Sequence, residues 1–200
     1  MKNRTNIRWL TQLALLVAIL LVLNYTPLGY LQIGPLSASL LTVPVAIGAM
    51  TMGPTAGAIL GGVFGATSFI QALEGKSAMG SALFQVSPFG TFVVCFVARV
   101  LVGLCAGLIF KALCKALPKK EKLCCFLGGL AAPVLNTAFF MGFLVLIFYN
   151  CEYVQNLAGT LGATNAFMFI VLLVGVQAIF EWVILSLIHI SEPTRPRLIS

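Results

Sequence analysis

Charge is what this sequence has least of. Only 8% of its 200 residues are Asp, Glu, Lys or Arg, against roughly 25% in a soluble domain. The chain is 60% hydrophobic with a mean hydropathy of +1.06, so water is not its solvent. Histidine is almost missing: the one present, His189, lies in a C-terminal stretch set aside below. Without it, histidine general-base catalysis, a histidine-activated serine or cysteine and a histidine metal site are all excluded, and no enzymatic role, metal or cofactor is expected. The six cysteines show no C-x-x-C spacing. Cys95, Cys105 and Cys114 fall in apolar helix and Cys124 and Cys125 open another, where thiols act as small hydrophobes; only Cys151 falls in an outer loop. Gly75, Lys76 and Ser77 echo the end of a phosphate loop, but Ile70 stands where its first glycine belongs. Energy for any transport therefore comes from a partner or an ion gradient.

What is present is apolar helix. At about 20 residues per span, the chain accommodates five or six transmembrane helices and no separate soluble domain. A first span runs from Leu10 to Leu23 behind Lys2, Arg4 and Arg8, too long for a signal peptide and without a cleavage site. A loop through Pro27, Gly29, Gly34 and Pro35 leads to a short second span, Ser39 to Met52, which Pro44 is expected to kink. After the Gly53–Pro54 turn, a third span from Thr55 to Leu73 carries Gly57, Gly61 and Gly65 at four-residue spacing, a bare face for close helix packing. The fourth, Phe89 to Ala112, repeats that spacing at Gly103 and Gly107; the fifth covers Leu123 to Phe148 and the sixth starts near Asn165.

The expected fold is thus all-α, a polytopic bundle of six transmembrane helices. Most of the twelve basic residues sit in two clusters, one at the N-terminus and one from Lys111 to Lys122. That pattern marks topology rather than a nucleic-acid surface, so no nucleic acid is expected as a partner. Four spans separate the clusters, which places both, and the N-terminus, in the cytoplasm. The outer loops, 25–38, 74–88 and 149–164, then carry one lysine against two glutamates.

From Leu185 the sequence reads LSLIHISEPTR, which resembles the conceptual translation of a transposase adapter used in sequencing libraries. We expect residues 1–184 to form the membrane domain and 185–200 to be an artefact tail. Excluding the tail removes two positive charges and one negative, taking the net charge from +7 to +6.

Polar residues at membrane depth are costly and mark function by default. Arg99 lies about eleven residues, roughly 16 Å, into its span, near the midplane. Its guanidinium either bonds to carbonyls or to Glu181 structurally, or anchors the carboxylate of a ligand through its bidentate fork. Asn136 and Thr137 on the fifth span and Gln177 on the sixth offer neutral hydrogen bonds, to a ligand or between helices. Glu181 reads as an ion-pair or snorkelling residue. Ala14 and Ala18, one turn apart on the first span, present a smooth stripe.

Together these features resemble the S components of energy-coupling factor (ECF) vitamin transporters, over about Asn6 to Ile184. The most telling stretch is TPLGYLQIGPLSASLLTVPVAIGAMTMGPTAGAILGGVFGATSFI, Thr26 to Ile70, with FVARVLVGLCAGLIF and PVLNTAFFMG adding to it. The resemblance implies a small-molecule vitamin bound near the outer face, with Tyr30, Gln32, Phe84, Gln85, Arg99, Asn136 and Gln177 as candidate contacts. It also implies partners, namely a transmembrane coupling subunit, two ATPase subunits and the lipid bilayer itself. Ala14 and Ala18 match the motif that meets the coupling subunit. Within the family the pattern looks most like pantothenate members, with riboflavin and folate as alternatives, and implies the plasma membrane of a prokaryote. A self-sufficient secondary transporter would show an inverted repeat or paired acids within spans, and the sequence has neither. A purely structural membrane subunit would have no use for a midplane arginine.

Overall fold

The computed structural model describes residues 2–26, 30–33, 36–116, 121–160, 162–163 and 165–172, with side chains described outside 2–6, 30–39, 121–123, 126 and 130. Gln177, Glu181 and the 185–200 tail lie outside the described residues. The fold is an all-α membrane bundle with one short hairpin. In chain order it runs α1 (Lys2–Tyr25), β1 (Tyr30–Ile33), β2 (Leu36–Ser39), α2 (Thr42–Met52), α3 (Pro54–Leu73), α4 (Ala78–Val86), α5 (Pro88–Phe92), a π-helical turn (Val93–Val97), α6 (Ala98–Ala116), α7 (Glu121–Phe148) and α8 (Glu152–Thr160). A further helix is followed over 166–172. Among the described residues, four helices are long and apolar enough to span a bilayer: Ile7–Tyr25, Pro54–Leu73, Pro88–Ala116 and Leu127–Phe148.

The bundle is organised around the contact of α3 with α6, which the glycines make possible. A Cβ on Gly57 would overlap the carbonyl oxygen of Gly103, and one on Gly61 the carbonyl of Arg99. One on Gly65 would come within 2.8 Å of the Phe96 Cα, and one on Gly107 within 2.6 Å of the Pro54 Cα. The two small-residue ridges predicted separately therefore face each other along the whole antiparallel pair. In lipid, where burial of apolar surface gives no drive for association, such backbone approach supplies the dispersion contacts that hold helices together.

On the far side of α3, α1 packs through Leu13, Leu20 and Asn24, a helical stripe that joins Leu41, Val45, Leu60 and Phe64 in one buried cluster. At its C-terminal end the Asn24 Oδ1 accepts a hydrogen bond from the Gln71 Nε2 of α3 at 3.0 Å. Because both amides are held within the bundle, losing one leaves the other under-satisfied. Asn24→Leu is expected to lower the unfolding free energy by about 0.6–1.7 kcal/mol, the range for such bonds between membrane helices. Thermal unfolding of the single and double Asn24→Leu/Gln71→Leu variants checks this; strictly additive effects would deny the coupling.

Three expectations change. Pro44 does not kink α2: the helix starts at Thr42, which puts Pro44 in the first turn, where an amide N–H has no intrahelical partner to lose. At eleven residues α2 spans about 16 Å, half of a hydrocarbon core. It is preceded by the β1–β2 hairpin, in which Tyr30 pairs with Ser39 and Gln32 with Ser37.

The outer segments expected as polar loops also carry helices. Ser77 caps α4, its Oγ accepting from the Gly80 N–H at 3.1 Å, and Leu83 of α4 joins Val154 and Ala158 of α8 against Phe148 and Leu144. Cys151, half-buried, packs on this same cluster, whereas Cys114 and Cys125 are the exposed thiols; none of the six cysteines forms a disulfide.

Candidate ligand site

The sequence from Val93 to Val97 forms a π turn, with the Ala98 N–H bonded to the Val93 carbonyl instead of that of Val94. This i→i+5 geometry adds one residue to the turn and leaves the Val94 carbonyl outside the ordinary ladder. Arg99 uses it: Nη1 donates to the Val94 oxygen at 2.6 Å. The π turn thus fixes the base of the guanidinium. Part of the structural reading of Arg99 is met, since one of its five donors goes to a backbone carbonyl.

Two aromatic rings set its direction. The Arg99 guanidinium carbon lies 4.7 Å from the ring centre of Phe140 on α7 and 5.5 Å from that of Phe64 on α3, both within cation–π range. Phe64 sits midway along α3, so the charge is at mid-span, as its position in the sequence implied. Such rings favour the cation in a medium where water cannot.

Asn136 lies four residues before Phe140, on the same face of α7 one turn away. Its Oδ1 is buried and accepts no hydrogen bond among the described residues. A buried acceptor left unsatisfied costs about 1–3 kcal/mol, which a donor arriving on a ligand would recover. Thr137, also a sequence candidate, is engaged otherwise: its Oγ1 donates to the Pro133 carbonyl of its own helix at 3.1 Å. The start of α2 adds to the field. Gly48 of α2 approaches Leu60, and Ala49 approaches Gly57; extending that antiparallel register brings Thr42 level with Phe64. The positive end of the α2 dipole is therefore near the depth of Arg99.

The remaining candidates divide. Tyr30 and Gln32 are on β1, and their side chains lie outside the described residues. Phe84 on α4 is half-buried and meets Phe69 edge-on at 6.0 Å; Phe69 meets Phe92 at 5.5 Å, which stacks on Phe96 at 5.0 Å. This aromatic run links the outer helix α4 to the turn just before Arg99. Gln85, its neighbour, is exposed. Gln177 lies outside the described residues. Ala14 and Ala18 are both exposed, on the face of α1 turned away from the bundle. Sequence reasoning missed Phe64, Phe140 and the Val94 carbonyl. The available signal was the four-residue step from Asn136 to Phe140, which puts a ring on the face already singled out.

Comparison with known proteins agrees with this architecture. Residues 8–191 match the family model described as the substrate-specific component of ECF transporters. The chain is also similar to a protein named pantothenate transporter PanT from Leuconostoc mesenteroides subsp. mesenteroides, 33% identical over 141 residues, which is 68% of this chain and 66% of that relative. The aligned part thus spans just under two thirds of the relative's length.

Proposed function

We propose, from the premise that the chain belongs to the family of ECF transporter substrate-specific components, that it captures a vitamin outside a prokaryotic plasma membrane and hands it to an ATP-driven partner. Pantothenate is the ligand we favour, with riboflavin and folate behind it. The observation that carries this reading is the pairing of a mid-span guanidinium, held between Phe64 and Phe140, with the unsatisfied Asn136 Oδ1 one turn along the same wall. Pantothenate offers a carboxylate for the first and amide and hydroxyl donors for the second. The name of the Leuconostoc relative adds support.

In this reading the protein performs no chemistry of its own. Tyr30, Gln32, Phe84, Gln85 and Gln177 are the remaining proposed contacts, with the hairpin, α4 and α8 closing the site from outside. The exposed Ala14–Ala18 stripe docks on the membrane-embedded coupling subunit, to which two ATPase subunits supply the energy. The N-terminus is cytoplasmic, as the basic clusters require, and residues 166–172 begin the sixth span.

Binding of pantothenate, riboflavin and folate to the purified protein, read by calorimetry, tests the proposal. One vitamin is expected to saturate, and Asn136→Leu to weaken it by about 5- to 100-fold, the equivalent of an unmade buried hydrogen bond. If no vitamin binds a well-folded protein, a structural membrane subunit becomes the better reading. Uptake by the chain alone, without ATPase partners, would favour a secondary carrier.

A further inference from the structure

We infer that the C-terminal end of α6 is a binding surface for anionic phospholipid. The first turns of α6 are turned into the bundle through Ala98, Val102, Gly103, Ala106 and Gly107. The last turns emerge from it: Leu108 is 50% and Ile109 37% exposed, and Lys111 and Lys115 are both exposed. Leu108, Lys111 and Lys115 follow at steps of three and four, so they share one face. That face passes from a hydrocarbon-facing leucine to two ammonium groups within about 10 Å of helix axis, the spacing from acyl chain to phosphate.

Charge decides which lipid. Among the described residues the one ion pair joins Lys76 to Glu74, in the turn at the opposite end of the bundle, and neither Lys111 nor Lys115 has a carboxylate within salt-bridge distance. Lys119, Lys120 and Lys122 follow in the sequence with Glu121 as the only acid among them. A zwitterionic headgroup brings no net charge to meet this excess, whereas a phosphatidylglycerol headgroup brings one negative charge per molecule. Each lysine near an anionic surface contributes about a fivefold preference at low salt. The negative end of the α6 dipole also favours lysines here, but that would act equally in any lipid.

Native mass spectrometry of the delipidated protein titrated with phosphatidylglycerol or with phosphatidylcholine separates the two roles. The wild type is expected to prefer phosphatidylglycerol, and Lys111→Gln/Lys115→Gln to lose that preference by on the order of 25-fold, or about fivefold per lysine. Phosphatidylcholine binding should be unchanged, and Lys111→Arg/Lys115→Arg should behave as wild type. Added salt should shrink the preference of the wild type, as it does for exposed charges. Equal binding of the two lipids by the wild type overturns the inference. So does a preference that survives the glutamine variant while its thermal unfolding matches wild type, or lysines that prove to be occupied by an acidic coupling subunit in the assembled complex.

Discussion

Gly57→Ala is expected to destabilise the protein by about 1–3 kcal/mol, and Gly142→Ala to leave it unchanged or stabilise it slightly. The two substitutions are chemically identical and both fall within membrane helices. They differ in what the new methyl group meets. At Gly57 it would overlap the Gly103 carbonyl, and backbone on a packed helix has no rotamer by which to move aside. At Gly142 no described residue lies within 4 Å, so among them only the higher helix propensity of alanine remains. Gly103→Ala should match Gly57→Ala, since a Cβ there meets the Gly57 carbonyl in return. Thermal unfolding of the four proteins in one detergent is the measurement. Equal midpoints for Gly57→Ala and Gly142→Ala would mean that α3 and α6 are not in backbone contact, and the arrangement of the core would have to be redrawn.

That contact was legible in the sequence because it depends on residue type. Glycines every four residues on two predicted spans leave two bare ridges, and a bundle has few ways to use them. The spans themselves were equally plain: the third was expected over 55–73 and α3 is Pro54–Leu73. Short elements were not. α4 and α8 are nine residues each, too brief for an apolar span signal, and they are helical because Leu83, Val154 and Ala158 have Phe148 and Leu144 to pack on. No local rule reveals that partnership. The π turn has no sequence signature either, as Val93 to Val97 reads as ordinary apolar helix. At the site, Arg99 and Asn136 stood out because polar groups are rare at that depth. The rings that hold Arg99 did not: the chain has 15 phenylalanines, nothing local distinguishes Phe64, and Phe140 is marked only by its four-residue step from Asn136.

Arg99→Gln should weaken binding of pantothenate by roughly 10²–10³-fold, the cost of removing one partner from a buried hydrogen-bonded charge pair. The size of the loss is not what identifies the role, because a guanidinium that ties α6 to the π turn through Val94 and packs on Phe64 and Phe140 also shapes the site. Its ligand-side chemistry is separable. Panthenol, the alcohol analogue of pantothenate, keeps the amide and hydroxyl groups and lacks the carboxylate. If Arg99 anchors the carboxylate, Arg99→Gln weakens the acid far more than the alcohol, so the variant loses the wild type's discrimination and the cycle formed by protein and ligand changes shows a large coupling. Arg99→Lys should keep part of the pantothenate affinity, since it preserves the charge and loses the planar fork. Phe140→Leu should cost less, about 2- to 30-fold, the range of a desolvated cation–π contact, and should do so mainly for the acid. If Arg99→Gln weakens acid and alcohol equally, the arginine is a structural brace. The carboxylate's partner must then be sought among the remaining contacts, while the buried Asn136 oxygen, which accepts no hydrogen bond among the described residues, still calls for a ligand donor.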